Sequence, residues 1–130
     1  KYKEDAASSF HKSGQLSISI DTVKYNFDKY GLLDDKVVFL KGWFKDTLPV
    51  APIKSLALLR LDGDMYESTW DSLVNLYPKL SIGGYILIDD YGSVSACKQA
   101  VDVYRKRYNI NEEILMSDWA GVYWKKQGIG

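Results

Sequence analysis

"SLALLRLDGDMYESTWDSLVNLYPKLSIGGYILIDDYG", Ser55 to Gly92, decides the fold of this chain. Its first part, "SLALLRL", is a near-continuous apolar run of strand length, the pattern of a strand buried on both faces of a parallel sheet. The segment from Met65 onward places Trp70, Leu73, Val74 and Tyr77 on one helical face, and Pro78 stops that helix. Gly83-Gly84 reads as a turn, and "YILID" as a second strand buried on both sides. Strand, helix, strand predicts two parallel neighbours about 4.8 Å apart, joined by a helical crossover. Four aspartates, Asp62, Asp64, Asp89 and Asp90, follow the carboxyl ends of those strands. Open α/β sheets bind their ligands at that edge.

Outward from this stretch the alternation continues. Ile20, Val23, Phe27 and Tyr30 form a helical stripe that Gly31 ends as a left-handed cap. "KVVFLKGWF", from Lys36, is β-branched and aromatic, which predicts a strand, and "DTLPVAPI" with its two prolines predicts a loop. Cys97, Ala100, Val101, Tyr104 and Tyr108 line a further helix. "EEILMSDWAGVYWKK", ending at Lys126, is two strand-like runs broken around Ala120-Gly121, a hairpin. The segment Lys1 to Gln15 is polar and aperiodic, so it reads as a loop or tail. We therefore expect an α/β protein with one domain over 1–130, of which 1–19 is polar loop and 20–130 is the α/β part.

Composition narrows the function classes. At 130 residues and 46% hydrophobic content the chain can bury one core but not two. Seventeen basic residues balance seventeen acidic ones, so there is no basic field for a nucleic-acid backbone. No stretch approaches the roughly 20 apolar residues of a membrane span. The single Cys97 forms no internal disulfide, and together these traits predict a cytoplasmic protein. The chain opens on Lys1 without the apolar core of a signal peptide, as expected of a piece processed or cut from something longer.

Four carboxylates at one sheet edge raise one another's pKa unless a cation sits among them, which argues for a metal. An all-oxygen donor set suits Mg²⁺, Mn²⁺ or Ca²⁺ rather than zinc. The alternative is that individual aspartates cap the helices that follow them. A DxD motif alone is short and common. Joined to a DD after the next buried strand it is more specific.

At this point the residues resemble the macrocin O-methyltransferase-like family. The resemblance lies in "LALLRLDGDMYESTWDSLVNLYPKLSIGGYILIDDYG", the preceding "VKYNFDKYGLLDDKVVFLKGWFKDTLP", and the following "ACKQAV" and "DWAGVYWKK". Enzymes of that family use S-adenosylmethionine and Mg²⁺ to methylate sugar hydroxyls of macrolide and aminocoumarin natural products. The resemblance implies that Asp62, Asp89 and Asp90 are metal ligands and that Asp64 is the general base. It also implies that Gly42, Trp43 and Phe44 in "GWFKDTLP" neighbour the cofactor's adenine. The fold implied is the C-terminal portion of a Rossmann-like class I methyltransferase sheet with a terminal antiparallel hairpin.

The residue types suit that chemistry. A sugar hydroxyl is a poor nucleophile and an ordinary Asp a weak base for it, so an Asp alone would not suffice. A divalent cation on two vicinal sugar oxygens narrows the acidity gap and aims one oxygen at the methyl carbon. Family members are roughly twice this length. The part without a counterpart here carries the first strand with its glycine-rich loop and the second strand with its ribose-binding acid. In the family's strand order, 3-2-1-4-5-7-6, those two strands would separate "KVVFL" from "SLALLRL". Without them a buried strand becomes an apolar edge, so we expect self-association into a homo-oligomer.

The leading expectation is thus an O-methyltransferase of sugar-bearing small molecules, present as a truncated form. One rival is an inert remnant or interaction module of the same fold. Another is a haloacid-dehalogenase-type phosphohydrolase, which needs a Ser/Thr and a Lys motif between its acidic motifs, where here one helix leaves no room for both. Among other residues, His11 reads as solvated loop and Cys97 as core. Trp119, Tyr123 and Trp124 read as hairpin core, or alternatively as acceptor-lining aromatics. Glu67 reads as an acid favoured in the first turn of its helix, and Arg60, within a buried strand, needs a partner.

Overall fold

The parallel pair predicted from Ser55 to Gly92 stands at the centre of the computed structural model, which describes residues 2–7 and 18–128. In chain order come a 3₁₀ turn (Lys3–Ala7), α1 (Ile20–Lys29), α2 (Phe44–Thr47), β1 (Leu56–Leu61), α3 (Tyr66–Leu76), a second 3₁₀ turn (Tyr77–Lys79), β2 (Leu80–Ile88), α4 (Ser95–Arg107), β3 (Leu115–Met116) and β4 (Val122–Lys125). The sheet order is β1-β2-β4-β3. β1 and β2 are parallel, and β4 is antiparallel to both β2 and β3. The α/β class and the terminal hairpin are as expected.

The core lies on one face of this sheet. Leu59 and Leu61 of β1, Ile86 and Ile88 of β2, and Val122 and Trp124 of β4 point into it. They meet Leu73, Leu76 and Tyr77 from the α3 side, and Cys97, Val101 and Tyr104 from α4. An aromatic cluster fills the far end: Tyr77 lies edge-on to Tyr104 at 5.7 Å, and the Trp124 indole N–H donates to the Tyr77 hydroxyl at 3.3 Å. Pro78 sits in the first turn of the 3₁₀ segment, so α3 passes into a tighter helix there before the chain enters β2.

Several expectations need correction. Neither strand of the parallel pair is buried on both faces: Leu58 is 60% exposed and Tyr85 43%. Their apolar runs read as two-sided, but α3 and α4 cover only one side. On the helix, the buried face turns toward Tyr66, Thr69 and Ser72, while Val74 is exposed. Gly83-Gly84 is not a turn between elements but an excursion inside β2. The register steps from Leu56↔Leu80 to Leu58↔Tyr85, so β2 carries extra residues that loop out of the ladder. A Cβ on Gly84 would lie 2.7 Å from the Ala57 carbonyl oxygen, a close approach that requires glycine.

"KVVFL" does not form a strand. Val38 and Leu40 are exposed and the segment pairs with nothing among the described residues; a strand exists only through its hydrogen-bonded neighbour. Its contact is instead with α1, where Phe39 meets Phe27 edge-on at 5.4 Å. "DTLPVAPI" starts inside α2, because the Trp43 carbonyl accepts the Asp46 and Thr47 N–H groups, and continues as loop. The segment read as polar tail contains the Lys3–Ala7 turn, and His11 lies outside the described residues. No described helix is long and apolar enough to cross a membrane.

Candidate functional site

β1 ends at Leu61 and releases the chain into Asp62-Gly63-Asp64-Met65 before α3 begins. Asp62 is exposed and Asp64 half-buried. Asp64 takes a left-handed φ of +54°, a conformation that Asp tolerates better than most side chains. The loop is tied down from the helix side. Ser68 donates its hydroxyl to the Gly63 carbonyl and, at 3.1 Å, to that of Met65.

The second acidic pair follows β2. The Asp89 N–H donates to the Leu61 carbonyl at 3.0 Å, which carries the ladder one step past the strand ends and sets Asp89 beside the first loop. Asp90 opens the next turn, its carbonyl accepting the Val94 N–H at 2.9 Å. The two loops touch where the Asp64 N–H points at the Asp90 carboxylate, 3.4 Å away. Burial, and after it the Asp64 charge, push the Asp90 carboxyl up to about 6. The Asp64 N–H opposes that shift, while Asp62 and Asp89 add to it.

Arg60 corrects another expectation. It is exposed, not buried, because it lies on the open face of β1. Its guanidinium crosses to the neighbouring strand and pairs with Asp89, Nε lying 2.9 Å from the carboxylate. Asp89 is thus engaged by a cation of the chain itself.

The donor set is all oxygen and rich in negative charge, which fits a hard divalent cation. The arrangement is open, however: among the described residues no three of His, Cys, Asp and Glu stand close enough together to grip one ion. Asp90 and Asp64 face each other while Asp89 turns to Arg60.

Of the three residues named for the cofactor, Phe44 approaches the acidic loop, its ring near Gly63. Phe44 and Asp62 line one hollow of about 120 Å³ with Leu48, Arg60, Leu61, Ser72 and Leu76. Trp43 precedes α2 and is 78% exposed, and Gly42 has a φ of +145°. Pockets that enclose a ligand of nucleoside-cofactor size run to roughly 300–1,000 Å³. The described residues therefore offer one wall for such a ligand, not a closed pocket.

The remaining residues divide. Cys97 is buried and its thiol is pushed up to about 11 by burial, so it packs rather than reacts. Trp124 is fully buried, as hairpin core should be, but Trp119 is 82% exposed, because it rides on the turn and not on a strand. That turn is fixed by the Asp118 carboxylate, which accepts the Ala120 and Gly121 N–H groups, and it docks beside Asp90 through Gly92 N–H to the Ala120 carbonyl at 2.7 Å. Glu67 is in the first turn of α3, as expected. Sequence reading missed two groups. Lys126 is buried, its ammonium donating to the Tyr77 carbonyl at 3.1 Å. Asp5 is buried against α3, far from any motif; only its pairing with a helix that lacks a local cap could have marked it.

The sequence matches the macrocin O-methyltransferase (TylF) family over residues 1–126. The chain belongs to that family. It is 52% identical over 126 residues to demethyldecarbamoylnovobiocin O-methyltransferase of Streptomyces niveus, which covers 96% of this chain and 48% of that enzyme. A second relative, the 8-demethyl-8-(2,3-dimethoxy-alpha-L-rhamnosyl)-tetracenomycin-C 4'-O-methyltransferase of Streptomyces olivaceus, is 55% identical over 87% of this chain and 43% of its own length. Among solved structures, the O-methyltransferase NovP superposes with a TM-score of 0.95 at 51% identity, over 98% of this chain and 53% of NovP. The chain therefore spans about half the length of the TylF-family proteins it matches.

Proposed function

We propose that this chain is the metal-holding and proton-accepting half of an S-adenosylmethionine-dependent, Mg²⁺-assisted O-methyltransferase acting on a sugar hydroxyl of a small-molecule natural product. The observation that carries this reading is the meeting of two acidic loops at the ends of paired parallel strands, Asp64 N–H against the Asp90 carboxylate. TylF-family kinship and relatives named as O-methyltransferases of natural products support it.

In this reading Asp62, Asp89 and Asp90 would hold the cation, which requires Asp89 to exchange its Arg60 partner for the ion. When bound, S-adenosylmethionine would supply an electrophilic methyl carbon, and the cation would supply positive charge that acidifies the hydroxyl. Asp64 takes the hydroxyl proton. In its left-handed conformation its N–H faces the Asp90 carboxylate of the second loop. Asp90, whose carboxyl is pushed up to about 6 by burial and then by its acidic neighbours, is a carboxylate that a dication would relieve. Phe44 joins Asp62 across the hollow, so the cofactor wall formed by Gly42, Trp43 and Phe44 meets the acidic edge there. We further propose a cytoplasmic setting and a homo-oligomer whose contacts include the open face around Leu58 and Tyr85.

The test is calorimetric titration of Mg²⁺, and then of S-adenosylmethionine with Mg²⁺ present, into the chain and into Asp90→Asn. Metal binding that disappears in Asp90→Asn supports the reading, whereas equal heats in both proteins sink the metal assignment. Micromolar cofactor binding would show that the single wall suffices. No cofactor binding beside intact metal binding favours the second reading, an inert or interaction module, which the open wall around Phe44 motivates.

A further inference from the structure

We propose that Asp5 is a positioning residue for the acidic loop, acting on Asp64 through the first turn of α3. This rests on the reading of Asp64 as the base. Asp5 is 6% exposed and lies in the Lys3–Ala7 turn. Its carboxylate accepts the N–H of Tyr66 at 2.6 Å and of Glu67 at 3.1 Å. Those residues open α3, whose own capping position is Met65, a side chain with no acceptor bonded to the helix. A helix usually takes its cap from the residue just before its first turn. Here the cap comes from 61 residues earlier in the chain. The contact is charge-assisted and lies at the positive end of the helix. Tyr2 reinforces it, with its ring 4.8 Å from that of Tyr66.

The bonds that run from this turn lead to Asp64. The Thr69 N–H donates to the Met65 carbonyl at 3.1 Å, and Ser68 grips the Gly63 and Met65 carbonyls. Asp64 lies between those two carbonyls in its left-handed conformation, its N–H aimed at Asp90. The loop has little freedom once α3 is fixed at its start. Releasing Asp5 frees the first turn, and Asp64 moves with it.

A merely stabilising cap would lower the melting temperature and leave the Asp64–Asp90 contact in place, so the experiment reads that contact directly. In the ¹⁵N-labelled chain at one fixed pH, the Asp64 amide shift and the hydrogen exchange of the Tyr66 and Glu67 amides are compared in wild type, Asp5→Ala, Asp5→Asn and Tyr2→Ala. Asp5→Ala is expected to speed exchange at Tyr66 and Glu67 by about fivefold and to displace the Asp64 resonance. Asp5→Asn, whose amide oxygen also caps, is expected to restore it. An Asp64 resonance that stays put in Asp5→Ala, or stays displaced in Asp5→Asn, overturns the proposal. Should Asp5→Ala fail to fold, Tyr2→Ala carries the test, with a smaller displacement of Asp64 in the same direction expected and none overturning it. Mn²⁺ titration of the same samples keeps the two readings apart: a wild type that binds no Mn²⁺ removes the metal site, while the Asp64 signal still decides the role of Asp5.

Discussion

α1 and α4 are both amphipathic helices, and they differ in what surrounds them. α1 is finished at both ends. The Ser19 hydroxyl accepts the Thr22 N–H at 3.1 Å, and at the other end Gly31, φ +67°, donates to the Asp28 carbonyl while Leu32 donates to that of Phe27, a Schellman closure. Yet α1 has no buried residue. α4 starts from Val94 without a side-chain cap, and still buries Ala96, Cys97, Ala100, Val101 and Tyr104. Caps decide where a helix begins and ends, but a partner surface decides whether its apolar stripe contributes to stability. The stretch from β1 to β4 has such a surface, and α1 offers its stripe to little beyond Phe39.

The largest effect that would break this contrast comes from truncating one aromatic in each region. Trp124 is fully buried, touching Tyr77 and carrying the Arg105 guanidinium 4.5 Å from its ring. Trp124→Ala should cost about 3–5 kcal/mol in urea unfolding. Phe27→Ala, half-buried against Phe39, should cost less than about 1 kcal/mol. Similar losses at both sites would mean that the α1 segment is packed against the rest of the fold, and the comparison would collapse.

A smaller effect, confined to the packed region, should follow pH. Folding raises the Asp90 carboxyl from its ordinary 3.8 to about 6, so the folded state binds that proton more tightly than the unfolded one. The stabilisation is then full below about pH 4 and is lost as pH rises through about 6. With allowance for solvent screening of a partly exposed group, wild type should lose about 1–2 kcal/mol relative to Asp90→Asn between pH 4 and pH 7.5 in the absence of divalent cations. Thermal melts at the two pH values measure it. A constant difference between the two proteins would show that neither burial nor the acidic neighbours raise the Asp90 carboxyl in solution.

These contrasts also explain what could be read from the sequence. The β1–α3–β2 unit, the hairpin and the placement of the four aspartates were legible, because apolar runs of strand length and a helical stripe between them leave few alternatives. Burial on both faces was not legible at Leu58 and Tyr85, since an apolar run reports what a strand can bury and not what covers it. "KVVFL" failed for a related reason: β propensity is a property of a segment, whereas a strand is a property of a pair. The neighbours of Arg60 along the chain point to burial, whereas its partner, Asp89, lies across the ladder. Asp5 was out of reach altogether, because its role depends on a contact between residues 61 positions apart.

The smallest effect tests the caps themselves. Ser19→Ala removes the acceptor that the Thr22 N–H uses and should destabilise the first turn of α1 by about 1 kcal/mol. Because α1 has no buried residue, that loss should stay local. Amide exchange should quicken in α1 alone, and the urea midpoint of the whole chain should not move. A shift of the global midpoint would mean that α1 unfolds together with the sheet. The well-capped helix and the well-packed one would then belong to a single cooperative unit, and the absence of buried side chains in α1 would understate its coupling to the fold.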